Sequence, residues 1–240
     1  MIKAVLFDMD GTITDTERIY NVMWTESAHE LGYTFFTKED ALLLRSLNHK
    51  DSDALLKERF DGRIDYHALH ILTGQKVDDY VKKHGVPLKP GVHETLAFLK
   101  EKGIKSAVVT ATAMERALKR LDGVGLRDSF DDIISAHQVK EGKPHPDPYL
   151  FACKKLGEAP GDCIAVEDSP NGAYSAVHAG CKTIMVPDLT EPDDALRAQL
   201  HEGAEILKNK VQNALDKTDV DEKVKAGAEQ LKDKIKEALD

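Results

Sequence analysis

Ala4-Val5-Leu6-Phe7-Asp8-Met9-Asp10-Gly11-Thr12 decides how the rest of this chain is read. A short apolar run of strand length stops at two carboxylates spaced i and i+2, followed by a glycine turn and a hydroxyl. Side chains two apart on a strand share a face, so Asp8 and Asp10 leave the strand end close together. Gly11 lets the chain turn sharply there. Carboxylates held that close repel unless a cation sits between them or one keeps its proton. The plainer reading of the same stretch is a strand ending in a polar turn, where Asp and Gly are common.

Outward from that turn the chain divides into three parts. Ile19, Val22, Met23, Ala28 and Leu31 fit one helical face, with Gly32 as the stop. Further helical segments are expected over Lys38–Leu44, Ser52–Phe60 and Tyr66–Lys83, and no strand between Thr14 and Val86. Residues 14–86 therefore read as an all-helical insert bounded by Pro87 and Pro90. From Gly91 helix and strand alternate: helices over Val92–Lys102, Met114–Leu121, Asp147–Leu156 and Pro170–Ala179, strands over Lys105–Val109, Asp132–Ser135, Cys163–Val166 and Thr183–Val186. That alternation means βαβ units and a parallel sheet, so residues 1–13 plus 87–202 read as a Rossmann-like α/β core. Sites in such sheets form beyond the carboxyl ends of the strands. Asp8, Thr110, Glu167 and Asp168 all fall there. Residues 203–240 differ in kind: Leu207, Val211 and Ala214, then Val224, Ala228, Leu231, Ile235 and Ala238, step by fours and threes. A C-terminal helical tail, either a helical hairpin or two docking helices, is expected, with a partner-binding coiled coil as the other reading.

Composition sets outer bounds. The 240 residues suffice for one large domain or two modest ones, and 41% hydrophobic with 31% charged residues is the balance of a soluble protein. A net charge of −9 argues against nucleic-acid or anionic-membrane partners, which want a basic face, but not against a small anionic substrate. The apolar start is too short for a signal peptide and no stretch approaches a membrane span. Cys153, Cys163 and Cys181 show no metal-type spacing and sit in apolar contexts, as core residues of a cytoplasmic protein do. A monomer is expected, with self-association through the tail as the alternative.

Three further stretches carry chemistry. Val108-Val109-Thr110-Ala111-Thr112 ends a strand in a hydroxyl before a helix, where free amides favour a phosphate, although Thr is also a routine cap. Gly142-Lys143-Pro144-His145-Pro146-Asp147 holds a lysine in a rigid loop rather than on a solvated helix face. Val166-Glu167-Asp168-Ser169-Pro170-Asn171-Gly172 sets a second acidic pair at a strand end, ahead of a proline-started helix.

With Asp8-Met9-Asp10-Gly11-Thr12, Thr110, Lys143 and Glu167-Asp168 in this order, the chain over roughly residues 1–197 resembles the haloacid dehalogenase-like hydrolases. The resemblance is to the branch with a helical cap inserted after the first motif, near β-phosphoglucomutases and sugar-phosphate phosphatases. It implies that Asp8 is a nucleophile forming an aspartyl-phosphate and Asp10 the general acid and base. It implies Mg²⁺ held by Asp8, the Asp10 backbone carbonyl and Asp168, with Glu167 nearby through water. Thr110, the Ala111 amide, Thr112 and Lys143 would hold the phosphoryl oxygens. Dehalogenases of the family lack an acid two residues after the nucleophile, so phosphoryl transfer is expected.

The cap-borne part of the mutase pattern is only partly present. Thr16 and Trp24 match, and the stretch around Lys76 resembles the one carrying a substrate-contacting lysine. Tyr20 stands where the mutase has a histidine, and Ser46-Leu47-Asn48-His49 replaces a glycine-containing loop ending in arginine. A mutase needs a strong cationic grip on a second phosphate, which His49 does not supply, though Arg45 or Lys50 could compensate. The expected function is Mg²⁺-dependent hydrolysis of small phosphorylated metabolites. The alternatives are β-phosphoglucomutase-like transfer on a sugar phosphate and a non-catalytic scaffold on the same fold. An assay with a generic aryl phosphate, with and without Asp8→Asn, separates enzyme from scaffold.

Overall fold

The computed structural model describes residues 2–200, so the helical-tail reading of 203–240 lies outside the described residues. Its centre is a five-stranded, wholly parallel sheet: β1 (Ala4–Phe7), β2 (Lys105–Thr110), β3 (Asp132–Ser135), β4 (Cys163–Glu167) and β5 (Lys182–Met185). The spatial order is β3-β2-β1-β4-β5, so the chain leaves β1 toward one edge and later returns to its other side. β1 is the middle strand, and Phe7 stands level with Val108 of β2 and Val166 of β4. That reversal opens a crevice at the carboxyl end of β1, where Asp8 begins.

β1 is apolar throughout because both its faces are covered. Ala4 and Leu6 enter one core with Val109, Ile134, Tyr149 and the three cysteines. Val5 and Phe7 enter another with Leu96, Leu99, Val108 and Leu121. Helices α7 (Asp147–Leu156) and α8 (Pro170–His178) cover the first face, and α5 (Val92–Glu101) and α6 (Met114–Gly123) the second. Continuous Val, Ile, Leu and Ala runs are what a buried parallel strand requires. Each Val, Ile, Leu or Phe side chain taken fully out of water contributes about 1.5–3 kcal/mol. The cysteines are free and buried, with Cys153 Sγ 3.6 Å from Cys163 Sγ and 3.9 Å from Cys181 Sγ.

Between β1 and α5 lie four helices: α1 (Glu17–Glu30), α2 (Lys38–Leu42), α3 (His49–Arg59) and α4 (Tyr66–His84). They have a core of their own, built around Trp24, Phe36, Leu56, Phe60 and Leu69. Helix α3 begins three residues before the Ser52 start expected from periodicity, because the Asn48 side chain accepts the Asp51 amide at 2.9 Å and caps it there. β4 runs one residue further than expected, taking Glu167 into the strand. Residues 194–200 are helical again. No helix among the described residues is long and apolar enough to cross a membrane.

Candidate active site

Past β1 the chain is pulled into a tight loop. The Thr14 amide and hydroxyl both donate to the Met9 carbonyl, at 2.9 and 3.2 Å, and the Gly11 amide donates to the Thr14 carbonyl at 2.6 Å. Gly11 sits at φ 96°, and a Cβ there would fall on the Asp168 carboxylate. Glycine thus allows both the left-handed turn and the close approach of a second acidic segment.

Asp8 and Asp10, two residues apart, have different surroundings. Lys143 Nζ donates to Asp8 Oδ1 at 2.5 Å, to Glu167 Oε1 at 2.6 Å and to the Val109 carbonyl at 2.9 Å. The lysine side chain is fully buried. Tyr149 donates to the same Glu167 oxygen at 2.5 Å. Asp10 instead accepts from Thr16 Oγ1 at 2.5 Å, Thr112 Oγ1 at 2.7 Å and Arg120 Nη1 at 2.6 Å. One carboxylate is held by an ammonium among other carboxylates. The other is aimed by three donors from three separate segments.

Asp8, Glu167 and Asp168 bring one oxygen each within 4.8 Å of one another. Glu167 Oε2 and Asp168 Oδ1 are buried without a hydrogen-bond partner. Burial, followed by the attraction of Lys143 and the repulsion of Glu167, leaves the Asp8 carboxyl well above the usual carboxylate range. Burial, then the Asp8 and Glu17 charges, raises Asp168 to about 9. Burial alone would drive a proton off Lys143, but Asp8 and Glu167 outweigh it and hold the ammonium protonated. Three buried carboxylates held this close, two of them with an orphaned oxygen, fit a hard divalent cation with oxygen ligands.

Arg45 enters this cluster from the loop before α3. Its guanidinium donates to Asp168 Oδ2, to Glu17 Oε2 at 3.3 Å and to Thr190 Oγ1 at 2.8 Å. Its carbonyl accepts from Asn171 at 3.0 Å, and the next residue, Ser46, stands at φ 59° and accepts from Ser169 at 2.8 Å. The non-glycine left-handed conformation at Ser46 sits directly beside Arg45, with Ser46 held by its hydrogen bond from Ser169.

Above Asp8 and Asp10 opens a cleft of about 100 Å³ between the α1–α4 helices and the sheet ends. Tyr20 and Trp24, four apart on α1, line it together with His49, Tyr66, His70, Ala111, Thr112 and Arg116. Thr110 is buried beneath, its hydroxyl accepting the Thr112 amide at 3.0 Å.

Several expected contacts lie elsewhere. Lys76 is paired with Glu30 at 2.8 Å and does not line the cleft. Thr16 is fully buried and spends its hydroxyl on Asp10. Arg45, expected as a compensating cation for a distal phosphate, is turned to Asp168 and Glu17, and Lys50 is paired at the surface with Glu141. The Asp10 side chain is outside the three-carboxylate set, engaged by its own donors. Arg120, Arg116, Tyr149, Glu17 and His70 were not foreseen. Arg116 and Arg120 stand four apart on α6, and nothing in the neighbouring sequence marks them as site residues.

The family described as haloacid dehalogenase-like hydrolase matches residues 2–180. Phosphorylated carbohydrates phosphatase of Thermotoga maritima is 32% identical over 197 residues, which span 76% of this chain and 84% of that protein. Hexitol phosphatase A of Escherichia coli is 31% identical over 204 residues, 82% of this chain and 91% of that one. Among solved structures, CbbY from Rhodobacter sphaeroides in complex with xylulose-(1,5)bisphosphate superposes with a TM-score of 0.67 at 28% identity, over 79% of this chain and 88% of that one.

Proposed function

Because the chain belongs to the haloacid dehalogenase-like hydrolases and to their phosphatase-like members, we propose that it hydrolyses small phosphorylated carbohydrates through an aspartyl-phosphate on Asp8. The observation that carries this reading is the split between the two strand-end carboxylates. Asp8 is flanked by Lys143 and two more acids, whereas Asp10 is oriented by Thr16, Thr112 and Arg120. Paired carboxylates in different environments take different roles.

An Asp8 oxygen forms a bond to phosphorus while the bond from phosphorus to the ester oxygen breaks. Asp10 gives its proton to that departing oxygen, then takes one from the water that cleaves the acyl-phosphate, so one group serves both half-reactions. Lys143 neutralises the attacking carboxylate and stays beside it as charge passes to the phosphoryl oxygens. Ala111 and Thr112 line the place those oxygens occupy, with Thr110 buried beneath them. Asp8, Glu167 and Asp168, with the Asp10 main-chain carbonyl, would hold Mg²⁺. When bound, the ion supplies charge neutralisation that lets an anionic nucleophile meet an anionic ester. Helices α1–α4, as a cap over residues 14–86, exclude water from the cleft.

The substrate class comes from the relatives, which are named phosphorylated carbohydrates phosphatase and hexitol phosphatase. The test is Mg²⁺-dependent turnover of p-nitrophenyl phosphate by the wild type and by Asp8→Asn. Rapid acid quench and mass spectrometry of the peptide containing Asp8 complete it. Turnover lost in the variant, with a phosphate adduct on the wild-type peptide, supports the reading. Undiminished turnover by a clean Asp8→Asn preparation ends it.

A further inference from the structure

The cleft wall facing Asp8 and Asp10 is built from rings. Trp24 and Tyr66 are stacked with centroids 6.3 Å apart, and His70 lies 5.9 Å from Trp24 and 5.7 Å from Tyr66. His49 meets His70 at 4.0 Å and His137 at 5.4 Å. These rings come from α1, α4, the start of α3 and the turn after β3, so the wall exists only when the elements are packed together.

The fixed positive charge on this wall is already committed. Among the described residues lining the cleft, Arg45 and Arg116 are the only Arg or Lys side chains. Arg45 is held by Asp168 and Glu17. Arg116 forms a two-pronged pair with Asp78 of α4, Nε to Oδ1 and Nη2 to Oδ2, both 3.1 Å. Gly74, one turn earlier on α4, gives that guanidinium room, since a Cβ there would lie 3.0 Å from Arg116 Nη2. The imidazoles do not replace these charges: burial and then His49 press His70 down to about 4, and burial and then His137 lower His49. A second phosphate would enter a region with no free cation, and leaving such a charge unpaired away from water is costly.

The same wall suits an uncharged, hydroxyl-bearing skeleton. Ring faces pack against C–H groups, and neutral imidazoles and a phenol exchange hydrogen bonds with hydroxyls. His70 Nδ1 is buried with no partner, a deficit that a hydroxyl can fill. We infer that the Trp24–Tyr66–His70–His49 wall selects esters carrying a single phosphate on a neutral polyhydroxylated skeleton, and that it discriminates against the same skeleton carrying a second phosphate. This rests on the hydrolase reading above and adds to it a specificity element made of His49, His70 and the Arg116–Asp78 pair.

The test compares fructose 6-phosphate with fructose 1,6-bisphosphate, which share a skeleton and differ by one phosphate. Measured at neutral pH with Mg²⁺, wild-type kcat/KM is expected to favour the monophosphate by about tenfold or more. His70→Lys places a cation on the wall, and Asp78→Asn releases Arg116 from its partner. Each is expected to shrink the ratio about fivefold or more, mainly through KM for the bisphosphate. Because Asp78 is partly exposed, its variant remains informative if the lysine at the wall prevents folding. A wild type that prefers the bisphosphate, or a ratio unmoved in both variants, overturns the inference. Turnover of p-nitrophenyl phosphate in parallel separates the two readings. A protein that hydrolyses it while preferring the bisphosphate keeps the hydrolase function and loses this specificity, whereas one that hydrolyses no ester loses both.

Discussion

Replacing Gly172 by alanine tests the packing of the site in a way that reverses ordinary expectation. Gly172 lies in the first turn of α8, outside the left-handed region, and its amide donates to the capping Ser169 hydroxyl at 3.1 Å. Alanine at such a helical position usually stabilises a protein by about 0.4–1 kcal/mol. Here the new methyl group would fall onto the carboxylate of Glu167. To regain a normal contact of about 3.5 Å the carboxylate must retreat by roughly 1 Å or more. Glu167 is fully buried and that carboxylate holds both Lys143, at 2.6 Å, and Tyr149, at 2.5 Å. Bonds to charged groups contribute about 1.5–3 kcal/mol each, so losing most of two of them outweighs the helix gain and leaves a net loss of about 2–4 kcal/mol. A comparable displacement of Lys143 from Asp8 lowers kcat/KM by about 10²-fold. Urea denaturation and p-nitrophenyl phosphate turnover read the two effects. Gly161→Ala serves as the control, because a Cβ there meets nothing within 4 Å. A Gly172→Ala protein at least as stable as the wild type, with unchanged turnover, would refute the placement of Glu167 behind Lys143.

Arg120→Met removes one of three donors aiming Asp10 together with its bond to Tyr20. It is expected to lower kcat about 10–100-fold while moving KM less than about threefold; a change confined to KM would assign Arg120 to substrate binding instead. Chelation of divalent ions should abolish turnover and added Mg²⁺ restore it, and Asp168→Asn should weaken Mg²⁺ binding measured calorimetrically by about tenfold or more. Full activity after exhaustive chelation would contradict a metal at the three carboxylates. His70, held near 4 in the fold against 6.5 for a free imidazole, takes up its proton more readily when unfolded. Its contribution to stability is therefore complete above pH 6.5 and lost as pH falls toward 4. After allowance for its partial exposure, the drop in unfolding free energy from pH 7 to 5 should be about 1 kcal/mol smaller in His70→Gln than in the wild type. Equal drops would mean that the imidazole is solvated.

Much of the framework could be read from residues near one another in the chain. The apolar run of β1, the strand at Asp132–Ser135 and helix α7 at Asp147–Leu156 stand where their periodicities put them. Alternating helix and strand gave the parallel sheet, while the order that leaves Asp8 at its middle is set by the packing. Boundaries shifted where a side chain outside the periodic pattern intervened, as Asn48 does at the start of α3. The acidic pairs and Lys143 were legible because each sits beside a turn signal, and the fold then brings Lys143 to Asp8 and Glu167. What no local pattern carries is the assignment of partners. Arg120 reaches Asp10 from 110 positions away, and Arg45 reaches Asp168 from 123. Nothing on their own segments names these partners, and Arg45, expected to face a phosphate, faces Asp168 instead. Whether a charged side chain faces water or a buried carboxylate depends on which elements pack against its own, and only the tertiary structure decides that. The same holds for the ring wall: Trp24, His49, Tyr66, His70 and His137 are scattered over three helices and a turn, and their proximity is a consequence of the packing.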